Sequence, residues 1–133
     1  MERMYQEFKD IAEFRIVYLS EAHAIDDPGR PNPFAELKGI YEHKDYGQRC
    51  STADMMMQEE NITIHCIIDD MDNNVGVAYK ALPDRLYVVR EDGRLAIAAE
   101  RGPRGLRPAL EETWAWLAEY RETGNSRDSS KAQ

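Results

Sequence analysis

The sequence predicts an α/β fold, and three features lead to that class. Residues 14–19 form an apolar and β-branched run broken only by Arg15, typical of a strand buried on both faces of a parallel sheet. Segments with helical periodicity lie before and after this strand. Asp92-Gly93 between two apolar runs indicates a β-hairpin. We therefore expect a sheet covered by helices.

The first half of the chain is predicted as helix, strand, loop, helix and strand. Residues 1–12 carry Met4, Phe8 and Ile11 on one helical face. After the strand at 14–19, three prolines and a glycine within residues 26–34 predict a loop. Residues 37–49 are expected to be irregular. We expect Ser51 or Thr52 to cap a helix that ends near Glu60, and residues 62–69 to form the second strand.

The second half is predicted as short helix, hairpin and long helix. The acidic segment 69–74 is rich in helix-capping residues and precedes a predicted helix at 75–81. It lacks the glycine and terminal glutamate of a calcium-binding EF-hand loop, so we predict no metal there. Hairpin strands are expected at 86–89 and 95–99. The last helix, at 108–120, has an apolar stripe formed by Leu110, Trp114 and Leu117.

Length and charge restrict the class of protein. The 133 residues suit one domain, predicted at 1–122, followed by a disordered polar tail at 123–133. A net charge of -8 argues against a nucleic-acid partner, which needs clustered Lys and Arg. No apolar run approaches the roughly 20 residues of a membrane span. We therefore predict a cytoplasmic protein with no membrane partner.

The end of the first strand carries the candidate chemistry. Glu21 and His23 follow residues 14–19, and ligands of parallel sheets bind at the carboxyl ends of strands. Two residues apart on extended chain, their side chains point the same way, so an acid and an imidazole face one crevice. The alternative is a strand end that merely carries polar surface residues.

Several stretches, in this order, resemble the iodothyronine deiodinase family, a branch of the thioredoxin and peroxiredoxin superfamily. The resemblance covers about residues 8–120. The stretches are Val-Tyr-Leu-Ser-Glu-Ala-His at 17–23 with its acidic loop, His43 shortly before Arg49, Met-Asp-Asn-Asn at 71–74 ahead of Ala78-Tyr79, Arg-Leu-Tyr-Val-Val at 85–89, and Arg-Gly-Pro at 101–103 before a Trp-containing helix.

The resemblance implies a thioredoxin-like, three-layer α/β/α fold with a mixed central sheet. In that plan the strand preceding the nucleophile lies in the middle of the sheet, and we expect this sequence to lack it. Thioredoxin-like folds also carry a cis-proline before the strand that here begins near Arg85. Pro83 is the candidate, so we predict a cis Leu82–Pro83 bond.

The implied function is reductive removal of iodine from the rings of iodothyronine-like, halogenated aromatic substrates. A selenocysteine or cysteine is the nucleophile, a thiol is the reductant, and no bound cofactor is expected. Carried over from the family, the catalytic residues are Glu21, His23 and His43, and the substrate-binding residues are Tyr18 and Arg101. A homodimer is left open.

These residue types suit the chemistry. Histidine supplies protons near neutral pH, and the arginine fork grips a carboxylate bidentately. The structural alternatives are that Tyr18 is a core residue, His43 a solvated loop residue and Arg101 a ligand for helix-junction carbonyls. Ala99 and Glu100 replace two glycines of the family's turn, which removes backbone freedom and places an acid beside Arg101.

The family's nucleophile precedes the helix that corresponds to residues 1–12, and that helix has no capping residue at Met1 or Glu2. We therefore expect the sequence to be the downstream piece of a longer reading frame, interrupted by a UGA codon for selenocysteine upstream of Met1. Cys50 and Cys66, 16 positions apart, are poor replacements because neither lies at a helix start that would stabilise a thiolate. The alternatives are a catalytically inactive ligand-binding or interaction module and a peroxiredoxin-like thiol oxidoreductase.

Overall fold

A computed structural model describes residues 1–22, 24–27 and 39–124. The α/β class is confirmed, because helices and short strands alternate in these residues. The helices are α1 (Glu2–Phe8), α2 (Tyr46–Glu59), α3 (Asn74–Ala78) and α4 (Pro103–Thr123), and the strands are β1 (Ile16–Tyr18), β2 (Cys66–Ile68), β3 (Tyr87–Val89) and β4 (Leu95–Ala98). The strands form two separate two-stranded sheets, β1–β2 and β3–β4.

The chain divides into two compact units. The parallel-strand unit is Phe14–Pro83 and contains β1, α2, β2 and α3. The hairpin–helix unit combines Arg3–Glu13 with the chain from Asp84 onward, and contains most of α1, the β3–β4 hairpin and α4. The single domain predicted at 1–122 and the thioredoxin-like arrangement both stay predictions.

In the parallel-strand unit, β1 and β2 pair in parallel, as the apolar run at 14–19 predicts. Tyr18 lies opposite Ile68, and the backbone N–H of Asp69 donates to the carbonyl of Tyr18 at 2.9 Å. Ile64 is buried whereas His65 and Ile67 are exposed, which confirms the predicted alternation of faces. Because the strands are parallel, their carboxyl ends lie side by side.

The start of α2 differs from the prediction. The helix begins at Tyr46 rather than after Ser51 or Thr52. The carboxylate of Asp45 accepts a hydrogen bond from the amide of Gln48 at 2.9 Å, and the Gln48 side chain accepts one from the amide of Lys44 at 2.9 Å. The bond from Gln48 satisfies an amide that a helix start otherwise leaves unpaired, and the bond from Lys44 ties the preceding residue to the same turn. Asp-x-x-Gln at 45–48 was the signal for it.

In the hairpin–helix unit, β3 and β4 pair antiparallel as predicted, and Gly93 takes a φ of 81° in the turn. Helix α4 begins at Pro103, five residues before the predicted start, so Pro108 lies inside the helix. Proline is favoured at a first helical position because its fixed φ suits the helix and its missing N–H is not needed there. The core of this unit is Leu86, Ile97, Ala99 and Ala109, flanked by Val88, Ala96, Leu106, Leu110 and Trp116.

Helix α1 also packs in the hairpin–helix unit. The ring of Phe8 meets Trp114 of α4 edge to face, with centroids 5.1 Å apart. The guanidinium of Arg121 forms ion pairs with Glu7 and Asp10, each at 2.8 Å. Helix α1 is shorter than predicted, and no side chain caps it. The Leu82–Pro83 bond, which precedes this unit, is cis as predicted.

The described part of the chain contains no helix that is both long enough and apolar enough to cross a membrane. The polar tail predicted from residue 123 lies outside the described residues beyond Gly124.

Candidate functional site

The carboxyl ends of β1 and β2, together with the start of α2, bring polar side chains to one place in the parallel-strand unit. Tyr18 ends β1 and Glu21 follows it. His43 precedes α2. These three predicted site residues are brought together: Tyr18 bonds to Glu21, and its ring lies against the ring of His43. His23 lies outside the described residues.

Tyr18 and Glu21 form a direct hydrogen bond. The phenolic hydroxyl of Tyr18 donates to Oε1 of Glu21, three residues further along the chain. Burial raises the pKa of Tyr18 well above its ordinary value, and the bond to Glu21 raises it further because the carboxylate holds the phenolic proton. Tyr18 is therefore a buried residue, as the core alternative predicted, and also a fixed hydrogen-bond donor at the strand end.

His43 is buried, with 7% of its surface exposed, so the alternative of a solvated loop residue is wrong. Its ring centroid lies 5.8 Å from that of Tyr18. Neither ring nitrogen has a hydrogen-bond partner among the described residues. Burial lowers the pKa of His43, the Glu21 carboxylate opposes this shift, and the positive charge of Arg49 adds to it. His43 therefore favours the neutral imidazole, which can accept a proton on one nitrogen and donate from the other.

Sequence reasoning missed two buried charged residues beside these groups. Arg49, in the first turns of α2, is 2% exposed and donates from Nη1 to the carbonyl oxygens of Asp69 and Asp70. The sequence resemblance includes Arg49 only as part of a motif with His43. The capping signal at 45–48, which places Arg49 in a helix facing β2, could have identified it.

The second missed residue is Asp69, also 2% exposed. Its carboxylate accepts amide hydrogens from Asp70 at 2.9 Å, Val75 at 3.0 Å and Gly76 at 2.8 Å. The acidic segment after β2 therefore caps α3, as its composition predicted. In the described residues, no group of three or more His, Cys, Asp and Glu side chains could hold a metal ion.

Arg101 belongs to the hairpin–helix unit, in the turn before α4. It is exposed, and its guanidinium has no hydrogen-bond or ion-pair partner within the described ranges. Gly102 takes a φ of 81°, and its N–H donates to the carbonyl of Asp84 at 3.0 Å. A Cβ on Gly105 would clash with the carbonyl oxygen of Glu100. The turn that presents Arg101 is therefore packed tightly against the first turn of α4.

A cleft of about 560 Å³ opens between the segment that precedes α2 and one face of that helix. The buried residue His43 is one of its lining residues. The remaining lining residues are Gly39, Ile40, Tyr41, Glu42, Asp45, Gly47, Gln48, Ser51, Thr52 and Met55.

Comparison with known proteins shows the family. Residues 1–121 match the family described as iodothyronine deiodinase. The chain belongs to that family. The matched stretch includes Tyr18, Glu21, His43 and the turn at Arg101, so both units of the chain lie within it.

The curated relatives are deiodinases from vertebrates. The chain is 35% identical over 120 residues to a thyroxine 5-deiodinase of Sparus aurata, covering 90% of this chain and 42% of the relative. It is 34% identical over 106 residues to a type I iodothyronine deiodinase of Xenopus laevis, covering 80% of this chain and 40% of the relative. It is 31% identical over 120 residues to a type II iodothyronine deiodinase of Bos taurus, covering 86% of this chain and 42% of the relative. The chain thus spans about two fifths of the length of these relatives.

The two cysteines of this deiodinase-family chain lie in the parallel-strand unit. Cys66 is within β2, and burial raises the pKa of its thiol. Cys50 is half-buried inside α2. A reactive thiolate needs a lowered pKa, usually at a helix N-terminus or beside a cation, so the shift at Cys66 is the opposite of activation.

Proposed function

We propose that this chain forms the proton-handling and substrate-binding part of a deiodinase that acts on iodothyronine-like aromatic compounds. The observation that carries the proposal is the Tyr18–Glu21 hydrogen bond beside the buried ring of His43, in a chain that belongs to the deiodinase family. Parallel sheets bind ligands at the carboxyl ends of their strands, which is where Tyr18 and Glu21 lie, and the ring of His43 lies beside that of Tyr18.

The reaction replaces an aromatic carbon–iodine bond by a carbon–hydrogen bond. A soft selenolate or thiolate takes the iodine, and the ring carbon receives a proton. The resulting selenium–iodine or sulfur–iodine bond is broken by a thiol, which releases iodide, and a second thiol restores the nucleophile while the two thiols form a disulfide. Two electrons and one proton are thus consumed for each iodide released.

The residues of this chain supply the proton and bind the substrate. In the proposal, His43 and His23 deliver the proton to the ring carbon, since imidazole is the side chain suited to transfer near neutral pH. Glu21, held by Tyr18, favours the protonated form of a neighbouring histidine. Arg101, exposed and unpaired within the described residues, binds a substrate carboxylate through its guanidinium fork.

The nucleophile is proposed to be a selenocysteine or cysteine other than Cys50 and Cys66. Cys66 lies in a strand with a raised thiol pKa, and Cys50 lies inside a helix rather than at its N-terminus. We also propose a thioredoxin-like fold. The order of elements and the combination of a parallel pair with a later hairpin support that fold.

The experiment has a binding part and a turnover part. Radioiodinated thyroxine is dialysed against the 133-residue chain, and iodide release with dithiothreitol is measured in a chimaera that joins the nucleophile-bearing segment of the Sparus aurata relative to residue 1. We expect the chain alone to bind without turnover and the chimaera to release iodide. Arg101→Ala should weaken binding by about 1.5–3 kcal/mol, the value of a charge-assisted hydrogen bond. Arg104→Ala, an exposed neighbour in α4, is the control.

Absence of both binding and release would overturn the proposal. Binding without release by a folded chimaera would favour the alternative of an inactive ligand-binding module. Peroxide consumption without iodide release would favour a peroxiredoxin-like thiol oxidoreductase.

A further inference from the structure

Arg49 is an unusual residue in the parallel-strand unit, because it is a cation that is almost completely buried without a carboxylate partner. It is 2% exposed, and Nη1 donates to two backbone carbonyls, that of Asp69 at 3.1 Å and that of Asp70. No carboxylate in the described residues forms an ion pair with it, and its Nε is buried without a hydrogen-bond partner there. Burying such a charge costs free energy that two carbonyl contacts offset only in part.

The surroundings of Arg49 indicate what the buried charge acts on. Arg49 contacts the carbonyl of Asp69, the N–H of Asp69 donates to the carbonyl of Tyr18, and the ring of Tyr18 lies 5.8 Å from that of His43. The positive charge of Arg49 opposes the rise in the pKa of Tyr18 and adds to the lowering of the pKa of His43. His43 precedes α2, borders the cleft, and has no hydrogen-bond partner on either ring nitrogen in the described part of the chain. The other charged groups that face His43 are the carboxylates of Glu21 and Glu42, which act in the opposite direction.

We propose that Arg49 is the positioning residue of the candidate site: it ties the start of α2 to the end of β2 and presents a buried positive charge to His43 and Tyr18. The inference deepens the proposed function and rests on it for the role of His43. Its physical content is that burial favours the neutral imidazole and the charge of Arg49 adds to this effect, against the carboxylates of Glu21 and Glu42, so that His43 can accept a proton and pass one on.

A purely structural role for Arg49 predicts something different. If the guanidinium only held the backbone after β2, any side chain that kept the fold would leave the titration of His43 unchanged. If the charge matters, lysine and methionine at this position must differ, because both are long side chains and only lysine is charged. Histidine titration therefore separates the two roles without any substrate.

The test follows the ring signals of His43 by NMR against pH in the 133-residue chain and in the variants Arg49→Lys and Arg49→Met. We expect His43 to titrate below the ordinary histidine value of about 6.5 in the parent chain. Its pKa should rise in Arg49→Met, because a nearby positive charge is lost, and stay near the parent value in Arg49→Lys. Lys44→Met is the matched control, since Lys44 is exposed and adjacent to His43 in sequence. It should leave the titration unchanged.

Three results would overturn the proposal: a parent His43 that titrates at or above the ordinary value, an unchanged titration in a folded Arg49→Met variant, or a shift in Lys44→Met as large as that in Arg49→Met. If Arg49→Met does not fold, Arg49→Gln takes its place, because glutamine is also uncharged and can still donate a hydrogen bond to the carbonyls after β2. A raised His43 pKa in a folded Arg49→Gln chain supports the charge, and an unchanged one contradicts it. Loss of thyroxine binding with the expected titrations would contradict the proposed function and leave the role of Arg49 standing.

Discussion

The hydroxyl of Tyr18 donates its hydrogen bond to the carboxylate of Glu21, across the end of β1. Tyr18 is buried and Glu21 is partly buried, so the carboxylate has this donor in place of part of its water shell. We expect Tyr18→Phe to lower the free energy of unfolding by about 1.5–3 kcal/mol, the value of a hydrogen bond to a charged group. Urea unfolding measures the change.

Tyr41→Phe is the control for that experiment. Tyr41 is 57% exposed and makes no hydrogen bond in the described residues, so its substitution should change stability by less than about 0.5 kcal/mol. A Tyr18→Phe chain as stable as Tyr41→Phe would mean that the Tyr18–Glu21 bond contributes nothing to the folded state.

His43 should make stability depend on pH. Because burial lowers its pKa in the folded chain, the unfolded chain binds more protons between the folded value and about 6.5. The free energy of unfolding should therefore rise with pH through this window, and the contribution is complete above about 6.5 and lost as pH falls through the folded pKa. Unfolding in urea between about pH 5 and 7.5 measures the slope.

We expect His43→Gln to flatten this slope, because the variant has no group that must stay neutral at that position. His65→Gln is the matched control, since His65 is exposed and directly precedes β2. This variant should keep the slope of the parent chain. Equal slopes in the parent and His43→Gln chains would contradict the burial of a neutral imidazole.

Local patterns were sufficient to predict the type and order of the elements. The apolar run at 14–19, the alternation around Ile64 and the Asp92-Gly93 turn each report on a few neighbouring residues, and the structure agrees with all three. The predicted start of α4 at residue 108 was wrong, because Pro103 and Pro108 both suit a first helical position and the helix begins at Pro103. Packing of Leu106 and Ala109 in the hairpin–helix core, which is not a local property, accompanies the earlier start.

The candidate site was predictable only in part. Tyr18, Glu21 and His43 came from the resemblance to a family, whereas periodicity alone allowed an ordinary strand end. Arg49 and Asp69 were missed because charged residues are usually exposed, and their burial depends on a contact between α2 and the end of β2, 20 residues apart in sequence. Contacts of that separation leave no mark in a local pattern.

Asp69 should be more important for folding than its neighbours in the acidic segment. Its buried carboxylate accepts three backbone amide hydrogens, two of them from the start of α3. Asp69→Asn replaces one acceptor oxygen with an NH2 group, which cannot accept a hydrogen bond from a backbone N–H. We therefore expect the free energy of unfolding to fall by at least about 1.5–3 kcal/mol, the value of one charge-assisted bond. Asp72→Asn, exposed in the same segment, is the control, and equal stabilities of the two variants would contradict the capping role.

Gly105 should tolerate no side chain. A Cβ there would clash with the carbonyl oxygen of Glu100 and lie 2.8 Å from its Cα, and both are backbone atoms that cannot rotate away. We expect Gly105→Ala to lower the melting temperature strongly, since forcing extra atoms into a packed site costs about 1–3 kcal/mol or more and alanine's better helix propensity offsets only part of that. Arg104→Ala, an exposed substitution one residue earlier, should leave the melting temperature nearly unchanged.

Because the same contact sets the path of residues 99–101, Gly105→Ala should also weaken thyroxine binding through Arg101 in any fraction that remains folded. A variant with parent-like melting and binding would show that α4 and the turn at Arg101 are not in close contact.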